Sequence, residues 1–270
     1  MKNENLNSRL ESERMFQNQR TESIALGELE TERSRFYYLS KNAFKHYYRN
    51  LESVEGKRVV VVGCERGGVT PLAHRGAIVT GVDIADQAIN LLNQAIENEG
   101  LTGKARALVM NAENLQLPTN SADLICCTGV LHHLNVEQAA ESWASVLAPN
   151  GRITMIEPMA WHPVVFLYRI FTPHMRTADE HPLTPKDIKA LRRHFGKVNV
   201  QGYAMTSVLS VAATYLPKGQ SLTNLSFRLL EKFDRLLLKF FPFLVYFCWT
   251  SVIELEAPLY TTNTGVSPKP

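Results

Sequence analysis

The chain has 270 residues, with 29 basic and 26 acidic side chains and a formal net charge of +3. Hydrophobic residues make up 45% and charged ones 20%, a balance that excludes disorder for the bulk of the chain and supports a substantial core. The near-neutral balance, with no lysine- or arginine-rich run, gives no case for nucleic acid as a partner.

In chain order, residues 1–20 are charged throughout and read as no secretory signal. Residues 31–50 place Phe36, Leu39, Phe44 and Tyr47 at helical spacing, so residues 1–55 are expected to form a helical lid. After Gly56 the period changes. Buried strands are predicted at 59–62, 78–82, 105–110, 122–127 and 152–156, with helices at 86–97 and 136–147 between them. Strands alternating with amphipathic helices indicate right-handed crossovers and a mostly parallel sheet. Residues 159–195 interrupt the alternation as an insert, in which Thr184-Pro185-Lys186-Asp187 is a helix start. Two further strands are expected at 198–205 and 250–256, flanking a helix at 225–241, with a flexible tail at 261–270. Four cysteines, Cys64, Cys126, Cys127 and Cys248, form no C-x-x-C pair, which argues for a reducing, cytoplasmic setting rather than a disulfide framework or zinc ribbon.

The most specific signal lies where the first strand ends. Gly63-Cys64-Glu65-Arg66-Gly67 is a glycine-rich turn that lets a ligand approach the backbone. Twenty residues after Gly63, Asp83 ends the second strand, where a carboxylate accepts from two ribose hydroxyls. The glycines Gly63, Gly67 and Gly68 do not spell G-x-G-x-x-G, so a nucleoside ligand without a pyrophosphate suits the turn better than a dinucleotide.

With NAENLQLP at 111–118, SADLICCTGVLHHL at 121–134 and VLAPNGRITMIEP at 146–158 following in register, residues 56–158 resemble the class I S-adenosylmethionine-dependent methyltransferases. The likeness is to the small-molecule branch of ubiquinone/menaquinone-type enzymes. It implies a Rossmann-like, seven-stranded, mostly parallel sheet with helices on both faces and an antiparallel last strand, spanning residues 56–260. S-adenosylmethionine is the cofactor so implied, with S-adenosylhomocysteine as product. By position, Gly63, Cys64, Glu65 and Gly67 would wrap its methionine part, and Asp83 with Ile84 its ribose. Asn111, Ala112 and Glu113 would lie beside adenine, and Thr128 and Gly129 near the transferred methyl. The family's acid two residues before the first glycine is here Val61, a duty Glu65 is expected to assume. His132 or His133, oriented by Glu157, is the expected general base for a small, partly apolar acceptor with an oxygen, nitrogen or carbon nucleophile.

The insert would cover the substrate. Trp161, Phe166, Tyr168 and Phe171 would wall an apolar pocket, and Arg169, His174, Arg176 and His181 would meet an anionic or phenolic group. A metal reading of His174, Asp179, Glu180 and His181 matches no common ligand spacing. Arg35, Tyr37 and Tyr38 would close over the cofactor carboxylate. Two alternatives stand beside this reading: a nicotinamide-dependent oxidoreductase, and a cofactor-binding relative with a non-methylating or regulatory role.

Residues 240–253, FFPFLVYFCWTSVI, carry no charge. As a helix they would span about 20 Å, short of a bilayer core, and Pro242 interrupts them. They are expected to finish the helix and enter the last strand as the end of the core. The preceding helix has Arg228, Lys232, Arg235 and Lys239 beside an apolar stripe, so region 225–253 is a candidate for peripheral membrane contact or a homodimer.

Overall fold

A computed structural model describes residues 2–25, 30–64, 68–172, 180–215 and 219–259. Seven strands form one sheet: β1 (Arg58–Val62), β2 (Ile78–Asp83), β3 (Ala105–Val109), β4 (Ala122–Thr128), β5 (Leu147–Pro158), β6 (Phe195–Tyr203) and β7 (Thr250–Pro258). Their spatial order is β3-β2-β1-β4-β5-β7-β6. The first five run parallel, while β7 pairs antiparallel with both β5 and β6. The expected antiparallel last strand is therefore present, but it lies one position in from the edge, and β6 forms the border.

The central strands are buried on both faces, as β-branched runs in parallel sheets are. Along β1, Val60 and Val62 join Ile125, Cys127 and Trp143 on one face, and Val59 and Val61 join Leu124, Cys126 and Ile89 on the other. Helices α3 (Val69–His74) and α4 (Asp86–Asn98) cover the second face, and α2 (Glu30–Asn50) joins them through Ala43 and Tyr47. Helices α5 (Val136–Val146) and α7 (Pro185–His194) cover the first. Local chemistry fixes their starts. Asn135 accepts from the Gln138 N–H at 3.2 Å, and Asp187 accepts from the backbone N–H and hydroxyl of Thr184 at 2.8 and 2.6 Å.

The fifth strand, predicted at 152–156, starts earlier. Residues Pro149, Asn150 and Gly151, between the predicted helix and strand, lie inside β5, where Leu147 already pairs with Ala122 across a register shift. A bulge absorbs the proline without ending the strand.

Helix α8 (Gly219–Phe240) departs further. Its apolar stripe, read as a candidate for membrane or homodimer contact, faces outward: Leu225, Leu229, Phe233, Leu236 and Phe240 are 49–66% exposed. Phe241 and Phe243 are exposed as well, and burial resumes at Val245, Cys248 and Thr250. The helix is anchored by its other side, where Phe227 packs with Leu39, Ala204 and Val208.

Candidate active site at the carboxyl edge of the sheet

A cavity opens where β1, β2 and β4 end. Val62, Gly63, Asp83, Ile84, Asn111 and Gly129 line it, with Met110, Ala112, Glu113 and Thr128. Gly63 and Gly129 have φ of +69° and +64°, values that favour glycine. A Cβ on Gly63 would lie 2.2 Å from Cγ2 of Val130, so this floor admits backbone only. Asp83 is 9% exposed, and its Oδ1 accepts from the Ala85 N–H at 3.0 Å, which holds the carboxylate at the strand end. Asn111 Oδ1 accepts from the Glu113 N–H at 2.9 Å, and Trp143 Nε1 donates to the Ala112 carbonyl at 2.8 Å, fixing the loop after β3.

The roof was not anticipated residue by residue. Arg9, Leu10, Glu13 and Gln17, from helix α1 (Lys2–Ala25), complete the lining. Arg9 donates to both oxygens of Glu113 at 2.5 and 2.6 Å, and Asn18 donates to Asp86 at 2.9 Å. Glu113 is 5% exposed and also accepts from the Asn135 N–H at 2.6 Å. Helix α1 has no apolar stripe, so its seat is set by these polar contacts, which no periodicity reveals.

Beside the cavity lies a buried dyad. His132 Nδ1 is 2.7 Å from Glu157 Oε2, and Glu157 Oε1 accepts from the N–H groups of Val130 and Leu131 at 2.9 and 2.8 Å. Glu157 is fully buried and His132 is 8% exposed. Burial pushes the Glu157 carboxyl up, but the His132 hydrogen bond and charge and the two backbone donors outweigh it, and the net direction is down. Burial pushes the His132 imidazolium pKa down, partly offset by Glu157. An ionised carboxylate only accepts, so Nδ1 carries the proton and Nε2 of the neutral ring is the basic nitrogen. The His133 ring lies 4.1 Å from that of His132, tilted by 40°; His133 lines the cavity and has Nδ1 3.2 Å from Glu13 Oε1.

Other expected residues sit elsewhere. Tyr38, expected at the cofactor, turns away: its hydroxyl donates to Asn224 Oδ1 at 3.0 Å and its ring packs on Phe227. Cys64 is buried behind the cavity, against Gly81. Trp161, Phe166 and Phe171, expected to wall a pocket, are 47%, 58% and 77% exposed. Arg169 is held by Glu180 at 2.6 Å, and the half-exposed His181 faces Asp187 at 3.7 Å. Glu65, Gly67, His174, Arg176 and Asp179, and the side chains of Arg35, Tyr37 and Tyr168, lie outside the described residues. Among the described residues, His132, His133 and Glu180 bring one ligand-capable atom each within 4.8 Å of one another, although Arg169 already engages Glu180.

Comparison with known proteins matches residues 60–155 to a family described as a methyltransferase domain. A ubiquinone biosynthesis O-methyltransferase of Bordetella avium is 26% identical over 157 residues, covering 53% of this chain and 63% of that protein. The mitochondrial ubiquinone biosynthesis O-methyltransferase of Arabidopsis thaliana is 26% identical over 123 residues, 44% of this chain and 38% of the relative. The match thus spans less than two thirds of either relative. The solved geranyl diphosphate C-methyltransferase of Streptomyces coelicolor A3(2), in complex with Mg2+, geranyl diphosphate and S-adenosyl-L-homocysteine, shares the fold. Its TM-score is 0.52 at 14% identity, covering 80% of this chain and 79% of that one.

Proposed function

We propose that this chain, which resembles the ubiquinone type over residues 60–155, is a class I S-adenosylmethionine-dependent methyltransferase that methylates a small, partly apolar metabolite. The observation that carries the proposal is the glycine-floored cavity at the strand ends, bordered by Asp83 and Asn111 and adjoined by the His132–Glu157 pair. The fit to the cofactor rests on the chain's own chemistry. Gly63, where a Cβ would strike Val130, and Gly129 at φ +64° present bare backbone, Asp83 offers a carboxylate to two hydroxyls, and Asn111 offers an amide to a purine edge. Gly63, Asp83, Ile84, Asn111, Ala112 and Thr128 would hold it, and when bound it supplies an electrophilic methyl on a sulfonium. The alternatives, a nicotinamide-dependent oxidoreductase or a non-methylating relative, are outcomes of the test below.

The remaining work falls to this chain. Alignment of nucleophile and methyl is worth up to about 7–11 kcal/mol in well-oriented reactions, so a rigid floor matters more than any charged group. Glu157 holds the His132 ring in the tautomer whose Nε2 takes the acceptor's proton, a contribution of about 10²–10⁴-fold where the nucleophile is protonated. Helix α1 roofs the cavity and excludes water. Four free, buried cysteines support a reducing compartment such as the cytoplasm. The exposed apolar residues of region 225–253 support contact with a membrane or a second copy.

Labelled S-adenosylmethionine supplied with a metabolite extract tests the reading. The wild type is expected to move label into a small molecule, and Asp83→Ala to lose transfer through weaker cofactor binding. Absence of transfer by the wild type would overturn the methylation, and calorimetric affinity for NAD(H) instead of S-adenosylhomocysteine would favour the oxidoreductase.

A further inference from the structure

Helix α8 inverts the usual arrangement of an amphipathic surface helix. Its stripe of large apolar residues, spaced three and four apart from Leu222 through Leu229 to Phe240, is the exposed face, at 43–66%. The buried side carries Phe227, Thr223 and Asp234 instead. Charge is sorted just as strictly. Both acidic residues turn inward: Asn42 donates to Glu231, and Asp234, 2% exposed, accepts from the N–H groups of Met205, Thr206 and Ser207. The four basic residues, Arg228, Lys232, Arg235 and Lys239, are all exposed and flank the apolar stripe.

The apolar surface continues beyond the helix. Phe241 and Phe243 are exposed, and the turn that follows Phe241 (Pro242–Phe247) places Tyr246 and Phe247 against Trp161 at ring distances of 5.5 and 5.6 Å. Trp161 leads into α6 (Pro163–Phe171), where Phe166, Leu167, Ile170 and Phe171 are 53–77% exposed. On the same helix, Arg169 pairs with Glu180 near the two histidines.

From this we infer that the outward face of α8, continued by α6, docks on an anionic lipid bilayer, lying in the interface rather than crossing it. No described helix is long and apolar enough to cross a membrane. A helix of 22 residues lying flat sinks an apolar stripe into the acyl boundary while flanking lysines and arginines reach the headgroups. Charge complementarity selects this occupant. An acidic surface satisfies all four cations, whereas a second copy seated on the same face would oppose four cations with four more.

Cosedimentation of the full chain with phosphatidylcholine vesicles, with and without about one third phosphatidylglycerol, tests the inference independently of methyl transfer. Binding is expected on the anionic vesicles, and is expected to weaken about tenfold on pure phosphatidylcholine or when Lys232 and Arg235 are both changed to Glu. The pair Leu229→Ser and Phe233→Ser is expected to abolish it, with melting temperature and S-adenosylhomocysteine affinity unchanged. Wild type that stays in the supernatant overturns the inference. So does binding that survives both double substitutions, or a dimer in sedimentation equilibrium that Leu229→Ser and Phe233→Ser dissolve.

Discussion

At Gly63 the backbone stands at φ +69°, with Cγ2 of Val130 only 2.2 Å from where a side chain would begin. A methyl there costs about 1–2 kcal/mol in left-handed backbone, before Val130 is displaced. Val130 also presents one of the two N–H groups that fix Glu157. Gly63→Ala is therefore expected to lose affinity for S-adenosylhomocysteine and turnover together; calorimetric affinity equal to wild type would remove this turn from the site. The dyad makes a second prediction. Glu157 raises the His132 pKa against the larger lowering effect of burial. Glu157→Gln should thus move the acidic limb of the rate–pH profile to lower pH and reduce the plateau about 10²-fold or more, since an amide no longer selects the tautomer. A limb that stays in place would show that a different group titrates. The placement of these residues was legible in the sequence because each lies at, or within a few residues of, the carboxyl end of a strand. Cys64 and Tyr38 misled because a position in a motif does not say on which side of the chain a side chain turns.

Helices set how firmly that edge is held. Trp143 of α5 is fully buried and carries the Ala112 carbonyl on its indole N–H, tying the first face of the core to the loop after β3. Trp143→Phe removes that donor and leaves a void, at a cost of about 2–4 kcal/mol, and it is expected to weaken cofactor affinity although Trp143 lines no part of the cavity. Unchanged affinity at reduced stability would uncouple the two. Helix α1 offers the opposite case. Arg9, 23% exposed at its side chain, holds the nearly buried Glu113, so Arg9→Ala leaves a carboxylate beside the site with less compensation. Faster release of S-adenosylhomocysteine and faster proteolysis within α1 are expected; release at the wild-type rate would mean that α1 is not the roof in solution. The strands and core helices were readable from period and capping chemistry. Helix α1 offered no apolar period, and the stripe on α8 was read as a stripe, while Phe240, Phe241 and Phe243, read as the approach to the core, are exposed, because periodicity reports amphipathicity without saying which face meets the protein.

Over the whole molecule, the C-terminal segment is woven into the sheet rather than appended to it. Strand β7 lies between β5 and β6, and Cys248, just before it, packs so closely that a Cβ on Gly202 would be 2.4 Å from its sulfur. Cys126 and Cys127 sit in β4, paired on both sides by β1 and β5. All four cysteines are buried outside any disulfide, and burial pushes the thiols of Cys126 and Cys248 up to about 12 and that of Cys127 up as well, so these three stay protonated in the native state at neutral pH. If β7 is integral, it cannot leave without uncovering β5, and the two regions must open together. Alkylation resolved by mass spectrometry at rising denaturant should then modify Cys248 and the Cys126–Cys127 pair with one midpoint and one slope. Earlier labelling of Cys248 would mean that the C-terminal strands open on their own, and the outward face of α8 would then belong to a separable unit.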